Sequence, residues 1–375
     1  MKRLFICVVG LVIAVTAWSR TFNMKELGAD PRGIESCTEL INQTIEKASS
    51  EGGGTIYFPA GVYLTATIHM KSNITLHLES GAIVRFSDRF EDYLPFVTAR
   101  WEGTVMQTLS PLIYAHSADN LTITGRGTLD GNGLKWWLWE FETRKVIKEN
   151  GGKLPSLDKL QQMWVDANKD LEISDYYKPS LERKMFRPPF IQFYECTNIL
   201  IENVKIINSP FWTVNPAFCD NVTIHGVTIN NPSSNPKGPN TDGINPSSCR
   251  NVRISDCFIS VGDDCITIKS GRDADGRKYG KACENITITN CIMLSGHGGV
   301  VIGSESSGGV KRIAISNCVF DGTNAGIRLK ASRGRGGVVE DIRVDNIVMK
   351  NITGAYPEKR CRKDGRRGTR CTGTN

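Results

Sequence analysis

Several features that would point to other classes of protein are missing from this 375-residue sequence. No segment beyond the N-terminus has an apolar run long enough to cross a membrane. No Cys-x-x-Cys or Cys/His pair has the spacing of metal ligands, so a metal centre is not expected. Of the formal net charge of +7, five charges belong to residues 354–375 and two to the dipeptide Lys2-Arg3. The remaining body, 20–353, is neutral overall, which argues against nucleic acid as a partner.

The first nineteen residues have the pattern of a signal peptide. The basic dipeptide precedes an apolar run over 4–18, and the small residues Ala17 and Ser19 stand where a signal peptidase would cleave. We therefore expect a soluble, monomeric mature protein, secreted or periplasmic, with no membrane contact after cleavage. An N-terminal membrane anchor is the alternative, although the run is short for a span.

A repeated unit organises the rest of the chain. Each copy has a turn residue, usually Asn, followed by alternating aliphatic and polar residues, which is typical of a half-buried strand. The copies begin at Lys71, Ala118, Cys196, Cys219, Cys249, Cys283, Val310 and Val339. From Cys196 onward, successive copies start 23, 30, 34, 27 and 29 residues apart. A period of this size with short strands predicts a solenoid.

The repeat favours an all-β parallel β-helix over residues 20–353. No unit contains the helical crossover of a βαβ sheet, and none contains an Asn-Gly hairpin turn. A Greek-key sandwich is the rival, but it would not explain the constant phase of the turn residue. A helical pattern over Leu40 to Ala48 predicts an N-terminal cap. Residues 131–189 interrupt the repeat and should form a partly helical insertion on one face.

Three further patterns follow from the same repeat. Two ladders of small buried thiols, mostly free, are expected from cysteines at equivalent positions: Cys196, Cys219, Cys249 and Cys283 in one, and Cys257, Cys291 and Cys318 in the other. Within the insertion, a second helix is predicted near Leu160 to Leu171, and Trp136, Trp137 and Trp139 are expected to pack. Residues 354–375 form a basic tail, for which a solvated segment and a truncated or frame-shifted coding sequence both remain open.

Placing the coils in register by their turn residues brings chemical groups together. The segment beginning Thr241-Asp242 then overlies Asp263-Asp264, and His297 comes beside Asp263 in the next coil. One coil further, Arg328 and Lys330 join this cluster. The alternation of side chains along the strands predicts that both residues, and Lys269, point outward. Crowding of three carboxylates raises the pKa of at least one. Such a cluster suits glycoside hydrolysis, which needs a protonated carboxyl group and a carboxylate that activates water. The cations would suit a polyanionic sugar.

These segments resemble the motifs of the polygalacturonase family of glycoside hydrolases: NTDG at 240–243, GDD at 262–264, GHG at 296–298 and RLK at 328–330. The resemblance implies a right-handed parallel β-helix of the pectin-lyase type that hydrolyses α-1,4-galacturonosyl linkages in pectin with inversion, without metal or other cofactor. By motif, Asp263 would be the acid, and Asp242 and Asp264 would activate the water. His297 would control the acid's protonation.

The same resemblance assigns the remaining residues. Arg328 and Lys330 would hold the substrate carboxylate, with Asn240 in support and Lys269 as a further substrate-binding cation. Rhamnogalacturonan or xylogalacturonan could replace polygalacturonate as the substrate. Two different functions also stay open on this fold: a calcium-dependent lyase, and a β-helix that binds polysaccharide without cleaving it. The insertion at 131–189 could close one end of the groove, which favours exo action. GHGGVVIGSESSGG and RGRGG also resemble the bacterial exo-acting branch.

Overall fold

A computed structural model describes residues 20–152, 154–169, 187–232 and 234–354. The signal peptide expected over 1–19 and the basic tail after residue 354 lie outside the described residues, as does Leu171 of the predicted second helix. Of the insertion, 170–186 are likewise outside.

The described elements are mostly short strands. In chain order, the first twelve are β1 (Arg20–Asn23), β2 (Arg32–Ser36), β3 (Gly54–Phe58), β4 (Gly61–Thr65), β5 (Ile68–His69), β6 (Ile74–Leu78), β7 (Ala82–Phe86), β8 (Val97–Trp101), β9 (Thr104–Thr108), β10 (Ile113–His116), β11 (Asp119–Gly125) and β12 (Thr128–Asp130). The other strands are β13 (Ile191–Tyr194), β14 (Thr197–Glu202), β15 (Lys205–Ile207), β16 (Asp220–His225), β17 (Thr228–Asn230), β18 (Arg250–Ser255), β19 (Phe258–Ser260), β20 (Ile266–Ile268), β21 (Cys283–Thr289), β22 (Ile292–Ser295), β23 (Val300–Ile302), β24 (Val310–Asp321), β25 (Ile327–Leu329) and β26 (Val339–Lys350). The helices are α1 (Thr38–Ser50), α2 (Leu134–Glu149), α3 (Lys159–Ala167) and α4 (Asp273–Tyr279), with a 3₁₀ turn at Phe90–Tyr93.

Three parallel ladders run along the stack, as expected for a β-helix. The first passes through β1, β3, β6, β11, β14, β16, β18 and β21, and the second through β2, β4, β7, β12, β15, β17, β19 and β22. Both continue into the long strands β24 and β26. The third ladder contains β5, β10 and β13, then isolated bridges at Val214 and Ile244, and finally β20, β23 and β25. This last ladder carries the predicted site residues.

Rows of aliphatic side chains fill the interior. One row runs through Ile56, Leu76, Ile123, Ile201, Ile224, Ile254, Ile288 and Ile315, each of which is almost fully buried. At or just before the start of these strands, Asn73, Asn120 and Asn221 have positive φ, which Asn tolerates better than most residues. Their amides bond from coil to coil, as from Asn120 Nδ2 to Asn73 Oδ1 at 3.0 Å. These contacts explain the constant phase of the turn residue.

Helix α1 confirms the helical pattern predicted over 40–48. Its buried face, which includes Ile41, Ile45 and Ala48, packs against β3, β5 and β6 at the N-terminal end of the stack. Helix α3 occupies much of the second predicted helix and begins at a capping box formed by Asp158 and Gln161.

Two elements were not predicted. Helix α2 contains the three tryptophans, of which Trp136 and Trp137 are buried, so packing is their role. Strands β8 and β9 form an antiparallel hairpin, although the repeat favoured parallel pairing throughout. Its turn residues Glu102 and Gly103 both have positive φ, so a Glu-Gly turn replaces the Asn-Gly signal.

All nine cysteines of the body are buried free thiols, in agreement with the predicted ladders. Among the described helices, none combines the length and the apolar character that crossing a membrane requires.

Candidate active site

The strand register places the predicted residues together. Ile244 pairs with Ile266, Ile266 with Val300 and Val300 with Ile327, which is the alignment predicted from the turn residues. Counting back along each strand puts Asp242 beside Asp264 and puts Asp263 beside His297. The backbone N–H of His297 donates to the Asp263 carbonyl at 2.8 Å. The alignment of the coils that the turn residues predicted is therefore observed.

Asp263 is the most accessible of the three carboxylates. Its side chain is 18% exposed, against 4% for Asp242 and 1% for Asp264. Its Oδ1 lies 3.0 Å from His297 Nδ1 and accepts a hydrogen bond from the Asp264 N–H, also at 3.0 Å. A cavity of about 170 Å³ opens beside it. Asp263 is thus the carboxyl group placed to meet a substrate.

Lys237 determines how His297 can hydrogen-bond. Its Nζ lies 2.7 Å from His297 Nε2, and an ammonium group can only donate. Nε2 therefore accepts, which leaves the ring proton on Nδ1 for donation to Asp263. The sequence reasoning missed Lys237, although it stands only three residues before the NTDG segment.

Asp242 and Asp264 lie beneath Asp263 and have different partners. Asp242 Oδ2 accepts from Thr267 Oγ1 at 3.4 Å and lies 3.9 Å from Lys269 Nζ. Asp264 Oδ2 lies 2.6 Å from Lys330 Nζ. The second Asp264 oxygen, Oδ1, has no hydrogen-bond partner among the described residues. This oxygen is also buried, so Asp264 has one carboxylate oxygen that is shielded from solvent and has no described donor.

Two glycines allow the coils to approach this closely. A Cβ at Gly296 would stand 2.5 Å from the Asp263 carbonyl oxygen, and Gly296 has a φ of +158°. A Cβ at Gly298 would clash with Val301 and stand 3.3 Å from Asp264 Oδ1. The GHG segment is therefore required by space as well as by His297.

The pKa values of the carboxyl groups diverge. Burial, followed by the charge of Asp263, raises the pKa of Asp242 well above its usual range. For Asp263, burial acts in the same direction, but the hydrogen bond from His297 and the charges of Lys330 and Lys269 bring its pKa below the usual value. Burial and the neighbouring carboxylate together thus raise a carboxyl pKa, and the group affected is Asp242.

Lys269 was predicted to lie at the surface and contact the substrate, but it is buried. Outward parity suggested a substrate contact, but Lys269 is 3% exposed, with its ammonium 4.5 Å above the Trp212 ring. Its Nζ lies 2.9 Å from Glu305 Oε2. Burial opposes the charge of Glu305, yet Lys269 and Arg272 lower the pKa of Glu305 to about 2. Lys269 is a buried positioning residue under Asp242, and its assignment as a substrate-binding residue was wrong because neighbouring loops cover this part of the outer surface.

The last two assigned residues are Asn240, which lies at the cavity, and Arg328, which lies on β25. Asn240 lines the cavity, and its Oδ1 accepts from Arg187 Nη2 at 2.8 Å and from Arg144 Nη2 at 3.1 Å. Arg328 is half-buried beside Val301 in the register of β25. Their roles remain predictions.

A divalent ion is disfavoured by the same contacts. One ligand atom from each of Asp263, Asp264 and His297 lies within 4.8 Å of the others, a spacing that could hold a metal. However, Lys330 is bonded to Asp264 and Lys237 to His297. Two ammonium groups therefore take up donor atoms that a cation would need and repel it.

Stacked parallel coils with an acidic cluster on their outer face define a carbohydrate-active β-helix. The sequence pattern of Glycosyl hydrolases family 28 matches residues 175–358, and that of Rhamnogalacturonase A/epimerase, pectate lyase-like, matches residues 21–136. An endo-polygalacturonase from Pectobacterium carotovorum subsp. carotovorum is 30% identical, over 86% of this chain and 74% of that protein. The chain belongs to family 28 of the glycosyl hydrolases.

Two further relatives extend this comparison. The crystal structure of a hyperthermoactive exopolygalacturonase from Thermotoga maritima matches with a TM-score of 0.74 and 38% identity, over 87% of this chain and 76% of that one. A probable polygalacturonase from Vitis vinifera is 34% identical over 92% of this chain. The match spans 63% of the length of the plant protein.

Proposed function

We propose that the protein hydrolyses α-1,4-galacturonosyl linkages of polygalacturonate, inverting the anomeric centre and acting from a chain end. The observation that carries the proposal is the outward cluster of Asp242, Asp263 and Asp264 in contact with His297 and Lys330. Family membership supports the hydrolytic class and a pectic substrate. The N-terminal signal pattern supports export.

Asp263 acts as the general acid in this proposal. It faces the cavity, where it can reach the oxygen of a scissile bond, and His297 fixes its orientation. A bound polygalacturonate brings negative charge and excludes water, and both effects raise a neighbouring carboxyl pKa. Substrate binding therefore opposes the cations that lower the pKa of Asp263 and favours proton uptake by the acid.

The buried pair activates water. Asp264 Oδ1 is buried and has no described protein donor, so a water molecule that is enclosed with the substrate can transfer a proton to it, and Asp242 lies beside Asp264 in register. Inverting pairs of carboxyl groups are usually about 6.5–9.5 Å apart. Ligand oxygens of Asp263 and Asp264 lie within 4.8 Å here. The stereochemical course therefore rests on the family resemblance, and the anomer formed first, followed by NMR, tests it.

Exo action is supported by helix α2 at the cavity. Phe141 and Arg144 of α2 line the cavity together with Asp263 and His297. A bulky wall this close to the acid leaves room for few sugar units on that side. The 38% identity to an exopolygalacturonase agrees with this proposal, whereas the 30% identity to an endo-polygalacturonase favours mixed oligomers.

Product sizes decide between these modes. With calcium-free polygalacturonate and excess EDTA, we expect galacturonate monomers from the start, at the rate seen without EDTA. Mixed oligomers would indicate endo action instead of exo action. Unsaturated products, or activity that needs calcium, would contradict hydrolysis. Rhamnogalacturonan is tested in parallel, since the N-terminal match favours it as a second candidate substrate.

Replacing Lys330 by Ala should raise KM for polygalacturonate by about tenfold, because a charge-assisted hydrogen bond to substrate contributes roughly 1.5–3 kcal/mol. The rate constant kcat should fall as well, since Lys330 also contacts Asp264 at 2.6 Å. Steady-state kinetics on oligogalacturonates of fixed length separates the two effects. Lys205→Ala, an exposed lysine on β15, is the matched control. An unchanged KM for Lys330→Ala would exclude a substrate contact.

A further inference from the structure

The cavity beside Asp263 is small and positively charged. Its volume is about 170 Å³, whereas sites for drug-sized ligands are about 300–1,000 Å³. It therefore suits one sugar unit. Its lining includes Phe141, Arg144, Lys237, Asn240, Asp263 and His297. Two of these residues, Arg144 and Lys237, are cations that the motifs did not assign.

Arg144 is held in place by α2 and by the turn that precedes the active-site strands. Its Nε donates to Glu140 Oε1 at 2.6 Å, and its Nη2 donates to Asn240 Oδ1 at 3.1 Å. Glu140 is 1% exposed, whereas the Arg144 side chain is 46% exposed. One end of the guanidinium is thus anchored to a buried carboxylate while the side chain still reaches solvent.

Glu140 cannot neutralise the cations around it. Its Oε2 also lies 3.7 Å from Nε of Arg187, a guanidinium that is only 3% exposed. One carboxylate therefore faces two guanidinium groups. Lys237 adds a third positive charge, and its described partner is the imidazole of His297. Among the described residues that line the cavity, the two cations Arg144 and Lys237 stand against the single carboxylate of Asp263, and this net positive charge favours an anion.

The two sets of cations flank the acid. Arg144 contacts Asn240, on the coil that carries Asp242, whereas Lys330 lies at the end of β25, three coils further along the stack. Consecutive units of polygalacturonate each carry one carboxylate. We propose that Arg144, assisted by Lys237, binds the carboxylate of the terminal uronate, while Arg328 and Lys330 bind that of the next unit. This inference rests on the proposed function and names the residues that recognise the chain end.

Equilibrium binding to the full-length protein tests the proposal without turnover. The probe is trigalacturonate titrated into the Asp263→Asn background by calorimetry. Adding Arg144→Gln should weaken Kd by about tenfold or more, as expected for loss of a charged contact. Arg144→Lys, which keeps the charge, should recover part of the affinity. Lys145→Gln removes an exposed charge from the same helix and should leave Kd unchanged.

The fully methyl-esterified trimer separates recognition from support of the fold. Its affinity should be insensitive to Arg144→Gln, because it has no carboxylate to lose. An equal loss for the esterified and free trimers would mean that Arg144 only shapes the cavity, and an unchanged Kd for trigalacturonate would equally overturn the proposal. Product size shows whether exo action itself has failed. If the wild-type enzyme releases monomers but Arg144→Gln leaves the Kd of trigalacturonate unchanged, only the inference about Arg144 is ruled out. Mixed oligomers from wild type remove recognition of a chain end.

Discussion

Asp263→Asn should lower kcat on polygalacturonate by about 10³-fold, within the usual range for loss of a general acid. Asn is isosteric, and its carbonyl oxygen can still accept from His297 Nδ1 and from the Asp264 N–H, the two bonds that Asp263 Oδ1 accepts. The fold should therefore be unchanged by circular dichroism. The exposed Asp345→Asn on β26 is the matched control and should keep full activity.

A substrate with a good leaving group distinguishes loss of the acid from general damage. An aryl galacturonide needs little protonation of its leaving oxygen, so Asp263→Asn should slow its hydrolysis far less than that of polygalacturonate. Equal losses on both substrates would contradict the acid assignment. Retention of a tenth of the wild-type rate on polygalacturonate would do the same.

Lys269→Met and Glu305→Gln should shift the acidic limb of the pH–rate profile in opposite directions, and Lys269→Met should also lower activity by about one to two orders of magnitude. Lys269 is the cation nearest Asp242, and its charge lowers the pKa of Asp242. Removing that charge raises the pKa further, so the limb moves to higher pH. Removing Glu305 leaves Lys269 uncompensated, so the pKa of Asp242 falls and the limb moves to lower pH.

Several other charged groups surround Lys269 and Glu305 and also affect the position of the acidic limb. The groups that face it are Asp242, Asp263, Asp264, Arg272, Lys330 and, through Arg272, Glu102. Because these carboxyl groups titrate together, the limb reports the cluster as a whole. The double variant Lys269→Met/Glu305→Gln restores neutrality and should return the limb towards its wild-type position. Shifts of the same sign in both single variants would contradict an electrostatic role and indicate disruption of packing.

Packing damage must be measured separately for Lys269. Breaking a buried ion pair typically costs about 3–5 kcal/mol of stability, because the remaining charge has no partner. Urea unfolding of the single and double variants gives this cost. If Lys269→Met does not fold, Glu305→Gln and the double variant still report the direction of the shift.

The register of the site could be predicted because a β-helix repeats its geometry. The turn residues fixed which residues stack, and Ile244, Ile266, Val300 and Ile327 pair as that alignment required. Parity along a strand separates inside from outside, and Ile268, the neighbour of the outward Lys269, is fully buried in the core. Local alternation thus determines position within the stack.

Exposure could not be predicted in the same way, because loops cover part of the outer surface. Lys269 faces outward, yet Trp212 and Glu305 enclose it, and Glu305 belongs to a segment with no repeat pattern. Helix α2 was missed because its apolar residues do not follow one helical face: Leu138 is 53% exposed although Trp136 and Trp137 are buried. The contacts that select its conformation come from distant coils, as in the bond from Trp137 Nε1 to the Ser209 carbonyl.

The last described strand also has a consequence for heat tolerance. In β26, Val344, Val348 and Met349 are 43%, 57% and 49% exposed, although Val344 continues the interior row that ends at Ile315. A solenoid unravels from whichever coil is least supported, since each coil is stabilised by its neighbours. The short strand β25, which precedes Lys330, lies between β24 and β26 in the chain. Among the described coils, loosening of β26 would therefore remove support from Arg328 and Lys330, the cations that we propose bind the substrate, so thermal inactivation would precede melting of the coils with buried interiors.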